Sequence, residues 1–407
     1  MESTQYLLIG GGLASSQAAK QLRRDDQSAS IVLVGSEPHP PYDRPPLSKE
    51  FLQGRKSRAE LFYDPASYFE EHRIELILGT TVESLDLSGK SAALGDGRTI
   101  RFDKALIATG GRPVRLPLPG AHLPGVHYLR TIDDADSIVR DAAAGRRAVI
   151  IGAGFIGMEV AASLTQRGVH ATVVETGPHI WPRFADAALA QTVQQYCESK
   201  GVTFRTQDQV MAMLGEDTVS SVTMRSGQDL SCDFVCIGVG IVPNVELARK
   251  AGLTVDNGIV VNEYLQSSHP DIFAAGDVAN YVDLLFGKRR RVEHWGHAEY
   301  TGQLAAQNMA GIAQPYDLLT YVWSDIFDLH LEFAGDESEH DQVLIRGRLE
   351  DRAFTILYLK EHRLTAYFAI NANAKELPTL QRLIRSKKHL SGKELQLQDL
   401  AFLLKTL

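Results

Sequence analysis

The sequence predicts an α/β protein with two parallel-sheet domains and a smaller α+β domain at its C-terminal end. Near the N-terminus and again near the middle of the 407 residues, an apolar strand runs into a glycine-rich turn and then into a helix. From Tyr321 onward, short runs of alternating apolar and polar residues are typical of antiparallel strands. A chain of this length accommodates two or three domains.

The domain boundaries follow from proline-rich and glycine-rich stretches between the predicted elements. The first domain takes residues 1–113 and 241–319, the inserted second domain takes 114–240, and the third takes 320–407. In the first domain, strands are predicted at 31–34, 82–87, 91–94 and 99–102, with a hairpin turn at Asp96-Gly97 and an apolar run at 105–108. In the third domain, strands at 343–346, 354–359 and 364–370 precede a helix at 376–384.

The central stretch contains the complete pattern of a dinucleotide-binding unit. An apolar strand precedes Gly152, Gly154 and Gly157, which form G-x-G-x-x-G. The first glycine permits a tight turn, the second lets the backbone approach a pyrophosphate, and the third brings the helix close to the strand. Glu175 follows the turn by about 20 residues, where a carboxylate can bind the ribose hydroxyls of NADH and would repel the extra phosphate of NADPH. The alternative is a strand, turn and helix whose glycines serve packing alone.

A second unit of the same design lies near the N-terminus. Gly10 and Gly12 follow an apolar strand, and Ser15 takes the place of the third glycine, where small residues are tolerated because the position serves close helix packing. Gly35 stands where an acid usually follows the next strand, so Glu37 is the carboxylate that would reach a ribose. The pattern predicts a second bound dinucleotide.

Composition and charge exclude several classes of function. The formal net charge of −8 argues against nucleic-acid binding. The first five residues leave no room for a signal or transit peptide, and no apolar stretch approaches the roughly 20 residues that span a membrane, so a cytoplasmic location is expected. Cys197, Cys232 and Cys236 are too few for the four thiolates of a typical iron–sulfur cluster. We expect Cys232 and Cys236 to be small buried residues in a half-buried strand, and we expect any iron–sulfur centre to belong to a partner.

The proline-rich stretch PYDRPPLSK surrounds Tyr42, Asp43, Arg44 and Lys49. Its prolines stiffen the backbone, so the loop can hold cations in place. A positive charge beside a flavin stabilises the anionic reduced form of the flavin. The alternative is a surface turn with solvated charges.

Taken in order with the two glycine turns, the stretches PYDRPPLSK, LIATGGRP, CIGVGIVPN, AAGDVA and VEHW resemble the FAD-dependent, NADH-dependent ferredoxin reductases. These enzymes serve bacterial Rieske dioxygenases and haem-thiolate monooxygenases, and the resemblance covers essentially the whole chain. The glycine turns and the ATG and GD motifs mark the wider superfamily of glutathione-reductase-like flavoproteins, whereas RPPLSK and WSD are more specific. The resemblance therefore implies Rossmann-like domains for FAD and NAD in the first two predicted domains.

The resemblance implies that electrons pass from NADH through FAD, one at a time, to an external [2Fe-2S] ferredoxin. It implies a catalytic ion pair between Lys49 and Glu159 beside the flavin, although an isolated helix glutamate usually faces water. Asp277 is expected to bind the ribityl and phosphate region of FAD, and the backbone of Val82 to pair with adenine. Because the loop carries no cysteine beside the flavin, thiol relay chemistry is not expected.

The residues assigned to the two cofactors combine the motifs above with neighbouring positions. The FAD set is Gly10, Gly12, Leu13, Ala14, Ser15, Glu37, Arg44, Pro45, Lys49, Val82, Ala108, Thr109, Gly110, Arg130, Gly276, Asp277, Glu293, His294, Trp295 and Trp323. The NAD set is Gly152, Gly154, Phe155, Ile156, Gly157, Glu159, Glu175, Arg183, Gly238, Val239 and Gly240. No metal site is expected. Arg183 is equally plausible as a surface arginine, and Trp295 as a core residue.

Two basic stretches are candidates for docking an acidic ferredoxin, namely Lys288, Arg289, Arg290 and Arg291, and the region from Arg382 to Lys388. Such runs are also typical of solvated loops. A monodehydroascorbate-type or quinone-type reductase would share every cofactor motif and is the alternative enzyme. A redox-sensitive interaction protein of the apoptosis-inducing-factor type is less expected, because this acidic chain shows no targeting leader.

Overall fold

The computed structural model describes residues 2–181 and 187–407. The chain divides into two compact units. Unit 1 takes Met1–Asp43, Ala59–Arg112 and Val242–Thr320, and unit 2 takes Arg44–Arg58, Pro113–Ile241 and Tyr321–Leu407. The three domains and their boundaries drawn from the sequence stay a prediction.

The elements are numbered in chain order. The strands are β1 Glu2–Ile9, β2 Ile31–Gly35, β3 Ile74–Leu78, β4 Val82–Asp86, β5 Ser91–Leu94, β6 Thr99–Ile107, β7 Gly111–Pro113, β8 Val126–Tyr128, β9 Arg147–Ile151, β10 His170–Val174, β11 Thr203–Arg205, β12 Val210–Leu214, β13 Ser221–Met224, β14 Asp229–Ser231, β15 Phe234–Ile237, β16 Ile241–Pro243, β17 Ile259–Val260, β18 Ile272–Ala274, β19 Ala279–Asp283, β20 Lys288–Arg290, β21 Tyr321–Ile326, β22 Leu329–Gly335, β23 Gln342–Arg348, β24 Ala353–Lys360 and β25 Arg363–Ile370. The α-helices are α1 Leu13–Asp25, α2 Ala66–Glu71, α3 Ile132–Asp141, α4 Phe155–Gln166, α5 Ala187–Ser199, α6 Glu246–Lys250, α7 Trp295–Met309, α8 Leu377–Ser386 and α9 Glu394–Gln398.

Unit 1 is organised around one sheet of order β3-β2-β1-β6-β5-β4, with β18 beside β6. β1, β2, β3, β6 and β18 are parallel, and most of their apolar residues are buried because helices cover such sheets. Helices α1 and α7 pack closely, since a Cβ atom built on Gly302 would lie 2.2 Å from the carbonyl oxygen of Ala14. The predicted strand at 99–102 and the apolar run up to residue 107 form one strand, β6. Separating them was wrong, because β1 pairs with β6 from Ile100 to Ile107 and keeps the intervening backbone extended.

A buried histidine lies in α7 of unit 1. His297 is fully buried, its Nδ1 lies 3.3 Å from the Tyr316 hydroxyl, and its Nε2 has no hydrogen-bond partner among the described residues. Burial lowers the pKa of His297 to about 3, because the imidazolium would lose its hydration, and the positive charges of His294 and Arg290 act in the same direction. The folded state therefore holds this imidazole neutral.

This histidine predicts acid sensitivity of folding. The folded pKa lies below the ordinary value of 6.5, so unfolding takes up a proton at acid pH. The stabilising effect of the neutral ring is complete above pH 6.5 and is lost as the pH falls toward 3. Within that window we expect His297 to contribute up to about 1.4 kcal/mol per pH unit to the change of the free energy of unfolding with pH. His297→Gln should remove this contribution. Urea unfolding at several pH values would measure it, and identical pH slopes in the two proteins would contradict the prediction.

Unit 2 contains a parallel sheet of order β11-β10-β9-β15-β8, a three-stranded antiparallel sheet of order β12-β13-β14, and a five-stranded antiparallel sheet of order β21-β22-β25-β24-β23. The three strands and the helix predicted for the C-terminal region are present as β23, β24, β25 and α8. β21 and β22 were not among the strands named from the sequence, and in β21 the polar residues Ser324 and Asp325 interrupt the apolar pattern. Ser324 is nevertheless fully buried, which marks a polar contact inside the unit.

Within residues 2–181 and 187–407, no helix combines the length and the apolar character that crossing a membrane requires.

Candidate functional site

The first glycine turn of unit 1 leaves room for a ligand at the start of α1. Gly10 has φ +124°, and a Cβ atom built there would lie 2.2 Å from the carbonyl oxygen of Ala108, so only glycine fits. Gly12 is the N-cap of α1, and a Cβ atom on it would meet no atom within 4 Å. Open space therefore lies beside the backbone N–H groups and positive end of the helix, which suit the pyrophosphate of FAD.

The GD motif lies beside this turn. Gly276 has φ +72°, its Cβ position is 3.2 Å from the Cβ of Ala14, and its N–H donates to Thr301 Oγ1 at 2.9 Å. Asp277 follows in the same turn and is thereby placed at the beginning of α1. The Ser15 hydroxyl is buried there and has no hydrogen-bond partner among the described residues. A polar ligand at the start of α1 fits this arrangement.

The end of β2 carries the predicted adenosine contacts. A Cβ atom on Gly11 would lie 3.3 Å from the Cα of Gly35, so the strand end touches the glycine turn. The Glu37 carboxylate accepts a hydrogen bond from the Tyr42 hydroxyl at 2.6 Å. The N–H of Gly79 donates to the main-chain oxygen of Glu37 at 3.0 Å, so the chain leading to Val82 runs beside it.

Trp295, at the start of α7, is held by two residues. Its Nε1 donates to the Tyr63 hydroxyl at 2.6 Å and to Asp43 Oδ1 at 3.1 Å, and Tyr63 in turn donates to Asp43 at 2.7 Å. Burial, with the neighbouring Asp43 carboxylate, raises the pKa of Tyr63, so its hydroxyl stays protonated. The indole plane is therefore fixed by hydrogen bonds. The preceding His294 caps α7, because its Nδ1 accepts from the N–H of Gly296 at 3.2 Å.

The second glycine turn, in unit 2, has the same construction. Gly152 has φ +102°, and its Cβ position lies 2.5 Å from the carbonyl oxygen of Gly238. A Cβ atom on Gly157 would lie 2.0 Å from the carbonyl oxygen of Gly152, so the helix approaches the turn as closely as the sequence predicts. Gly154, the N-cap of α4, again faces open space, with no atom within 4 Å of its Cβ position. The site therefore fits a second pyrophosphate.

Glu175 lies directly after β10 and is turned toward the glycine turn. Its Oε2 accepts from the N–H of Ala153 at 2.9 Å, and its Oε1 accepts from the N–H of Gly177 at 2.7 Å. Ile156 and Val239, from the predicted NAD set, are large apolar residues that are 46% and 37% exposed. The described members of the NAD set thus lie in unit 2, at the turn, on α4 or just after β10 and β15. Arg183 lies outside the described residues.

The predicted ion pair between Lys49 and Glu159 is present and buried in unit 2. Lys49 Nζ lies 3.5 Å from Glu159 Oε1, and the two side chains are 8% and 5% exposed. Glu159 therefore does not face water. Ser324 Oγ donates to Oε1 at 2.7 Å, and Ser48 Oγ donates to Oε2. Three separate stretches of chain thus meet at one carboxylate.

Arg44, Pro45 and Trp323 are also predicted to contact FAD, and they lie in unit 2 on the same stretches of chain as Lys49 and Ser324. Pro45 begins the 3-10 turn that ends at Ser48. Arg44 Nη1 donates to the main-chain oxygen of Arg130 at 2.5 Å. Trp323 is half-buried on β21, next to Ser324, and successive strand residues point to opposite faces. Their contacts with FAD stay a prediction, as do those of the rest of both sets.

Sequence reasoning missed Tyr63, and it assigned no role to Ser48 or to the carboxylate of Asp43. Ser48 and Asp43 stand inside PYDRPPLSK, and Ser324 stands inside WSD, so the motifs contain them. Their function depends on hydrogen bonds across long stretches of sequence. Tyr63 belongs to none of the quoted motifs, and no signal in the sequence marks it.

The three cysteines are buried. Cys232 and Cys236 are 1% and 5% exposed. The prediction of a half-buried strand was wrong, because every residue of β15, the strand that contains Cys236, is covered between its neighbours β9 and β8. Burial raises the pKa of Cys197 to about 12 and of Cys232 to about 11, and it also raises the pKa of Cys236. Such thiols are inert, as expected for small core residues.

The first basic stretch is not a solvated loop. Its first three residues form β20, which pairs with β19. Arg289 donates to two main-chain carbonyl oxygens, Arg290 pairs with Asp283 at 3.2 Å, and Arg291 pairs with Glu293 at 2.5 Å. These guanidinium groups are therefore engaged within unit 1.

Comparisons with known proteins show the family of this chain. The family model of the pyridine nucleotide-disulphide oxidoreductases matches residues 4–302, and that of the reductase C-terminal domain matches residues 321–407. Rhodocoxin reductase of Rhodococcus erythropolis is 38% identical over 90% of this chain and 86% of its own length. Putidaredoxin reductase of Pseudomonas putida is 33% identical over 90% of this chain and 88% of its own. A chain in the crystal structure of the covalent putidaredoxin reductase–putidaredoxin complex matches with a TM-score of 0.94 and 31% identity over 100% of this chain and 98% of that one.

Two glycine turns at helix N-termini, each with open space, and a buried Lys–Glu pair define an oxidoreductase that uses FAD and NAD(H). The chain belongs to the pyridine nucleotide-disulphide oxidoreductase family, and the resemblance of its motifs to the ferredoxin reductases is confirmed. The predicted fold class, with two Rossmann-like domains and a C-terminal α+β region, is confirmed as well.

Proposed function

We propose that this reductase takes electrons from NADH and delivers them singly, by way of FAD, to a [2Fe-2S] ferredoxin that feeds a Rieske dioxygenase or a haem-thiolate monooxygenase. The observation that carries the proposal is the buried pair between Lys49 and Glu159, because Glu159 lies on the helix that begins at the NAD-type glycine turn. When bound, FAD supplies the conversion between two-electron and one-electron transfer. The resemblance to reductases whose names include rhodocoxin and putidaredoxin supports a ferredoxin as partner.

In this proposal the chain contributes binding, orientation and charge rather than a nucleophile. The N-termini of α1 and α4 bind the two pyrophosphates, and Glu175 selects NADH because its carboxylate would repel a 2′-phosphate. Lys49 places a buried positive charge for the reduced flavin. The three cysteines are buried and keep raised pKa values, so a thiol relay has no reactive thiol in the described part of the chain.

The C-terminal basic stretch is the better docking candidate of the two. Arg382, Arg385, Lys387 and Lys388 have exposed side chains on and just after α8. The guanidinium groups of the β20 stretch are bonded to acceptors of unit 1, and at the other stretch Lys388 Nζ donates to the main-chain oxygen of Leu407 while its side chain stays exposed. We therefore place the main electrostatic attraction for an acidic ferredoxin at α8, where it speeds association at low ionic strength.

Cytochrome c reduction by NADH, with and without added [2Fe-2S] ferredoxin, tests the proposal. We expect a large, saturable stimulation by ferredoxin that weakens with salt. Reversing two charges in Lys387→Glu/Lys388→Glu should raise the ferredoxin concentration needed for half-maximal rate, while Lys250→Glu, exposed on α6 of unit 1, should not. Rapid NADH oxidation that ignores ferredoxins and responds to quinones or ascorbate radical would replace this function by the small-molecule alternative.

A further inference from the structure

We propose that Ser48 and Ser324 are positioning residues, which occupy the Glu159 carboxylate and so leave the Lys49 ammonium available to the flavin. The inference rests on the proposed function, since it assigns the lysine to the reduced flavin. The inference concerns the strength of the attraction between the Lys49 ammonium and the Glu159 carboxylate. The two serines are buried at 3% and 0% exposure, and neither belongs to the predicted catalytic pair.

The carboxylate of Glu159 is bonded at both oxygens. Oε2 accepts from Ser48 Oγ, while Oε1 accepts from Ser324 Oγ at 2.7 Å and from Lys49 Nζ at 3.5 Å. A carboxylate only accepts hydrogen bonds, so each hydroxyl must donate its single proton to it. The two serines therefore make the close contacts, and the lysine makes the long one.

The lysine keeps unused donor capacity. An ammonium group has three N–H donors, and charge-assisted bonds to carboxylates usually measure about 2.7–2.9 Å. At 3.5 Å the bond to Glu159 is weak, and no other acceptor of the described residues is bonded to Nζ. A side chain that is 8% exposed would not retain an under-bonded charge without a use for it. An electron-rich acceptor such as the reduced flavin would complete the hydrogen bonding of the Lys49 ammonium.

The backbones of Ser48 and Ser324 are held by contacts other than those with Lys49 and Glu159. Their hydroxyl groups can therefore determine how the carboxylate is oriented. Ser48 ends a 3-10 turn that begins with Pro45 and Pro46, and its main-chain oxygen accepts from Ser163 Oγ at 2.7 Å. Ser324 lies within β21, opposite Leu331 of β22. Because both backbones are held, the hydroxyls set the direction of the carboxylate.

Removing the hydroxyls should tighten the pair. In Ser324→Ala the best remaining donor to Oε1 is Lys49 itself, so the ammonium is drawn toward Glu159 and away from the flavin. The reduced flavin then loses stabilisation by positive charge, and its reduction potential should become more negative. Hydride transfer from NADH should slow by roughly tenfold, the change that loss of one hydrogen bond to a charged group produces. Ser48→Ala should act in the same direction, and the double variant more strongly.

The experiment compares the FAD-loaded wild type with Ser48→Ala, Ser324→Ala, their combination and the control Thr165→Ala. Thr165 lies on α4 like Glu159, and its hydroxyl donates to the main-chain oxygen of Ala161 at 2.8 Å and bonds neither Glu159 nor Ser48. We would measure the flavin reduction potential by spectroelectrochemistry with mediators, the rate of reduction by NADH in stopped flow, and unfolding by urea. The expected result is a negative shift of the potential in the serine variants, none in Thr165→Ala, and recovery in Ser324→Thr.

Repeating the serine substitution in a Lys49→Met variant tests whether the lysine charge causes the shift of the flavin potential. There Ser324→Ala should no longer change the potential, since the charge that the serine controls is gone. Loss of stability with an unchanged potential in Ser48→Ala and Ser324→Ala would overturn the proposal, as would an equal shift with and without Lys49. Because the potential is measured with mediators, the result holds whether or not ferredoxin proves to be the acceptor. Failure of the proposed function would appear separately, in the ferredoxin titration.

Discussion

Gly157→Ala is expected to abolish most NADH-dependent reduction of the flavin while leaving FAD bound. A methyl group there would lie 2.0 Å from the carbonyl oxygen of Gly152, so α4 must move away from the turn. Such overpacking costs about 1–3 kcal/mol of stability. The backbone that binds the pyrophosphate moves with it, and a displacement of about 1 Å reduces a rate by roughly a hundredfold. Stopped-flow reduction by NADH, together with FAD content and reduction by dithionite, measures the effect.

Gly154→Ala provides the matched comparison. Its backbone has φ −74°, which alanine adopts without strain, and a methyl group there meets no protein atom within 4 Å. We therefore expect unchanged stability but weaker NADH binding, because the methyl group enters the space proposed for the pyrophosphate. Normal reduction by NADH in both variants would show that the nucleotide binds elsewhere.

Glu159→Ala is expected to destabilise the protein far more than Lys49→Met, although the two residues form one pair. Removing Glu159 leaves the buried ammonium of Lys49 and the hydroxyls of Ser48 and Ser324 without their acceptor. Breaking a buried pair in this way costs about 3–5 kcal/mol. Removing Lys49 leaves a carboxylate that still accepts from both serines, so we expect a loss of only about 1 kcal/mol.

The redox effects should follow a different order. Lys49→Met removes the positive charge, so the flavin potential should fall and hydride transfer should slow by at least about tenfold. Glu159→Ala keeps the positive charge of Lys49 but no longer fixes the position of the ammonium. The flavin potential of this variant should therefore differ from that of Lys49→Met. Urea unfolding and spectroelectrochemistry of both FAD-loaded variants provide the measurements. An unchanged potential and an unchanged hydride rate in both variants would end the catalytic assignment of the pair.

Local patterns in the sequence were sufficient for the dinucleotide units. The glycines at 10, 152 and 157 lie where a side chain would strike a carbonyl oxygen. The glycine spacing in each of the two turns can be read directly from the sequence. The ends of β9, α4 and β10 also follow the apolar periodicity of the central stretch. The continuous strand β6 did not follow from periodicity, because its extended shape depends on pairing with β1.

The role of charged stretches could not be read from composition. The β20 stretch and the region from Arg382 to Lys388 are similar runs of basic residues, but the guanidinium groups of the first are bonded within unit 1, whereas the basic side chains of the second are exposed. Whether an arginine faces a partner or an internal acceptor depends on which carbonyl or carboxylate the fold brings near it. A run of positive residues carries no information about that neighbour.

The two glycine turns, the two cofactors they predict and the family of the chain all followed from residue patterns alone. The Lys49–Glu159 pair was also predicted, though only through the resemblance. Ser48 and Ser324 are 111 and 165 positions from Glu159, and their shared contact with its carboxylate emerged from the folded structure and not from any sequence pattern. Local spacing specifies turns and helices because their hydrogen bonds join near neighbours, whereas a buried polar cluster is specified by the packing that brings distant segments together.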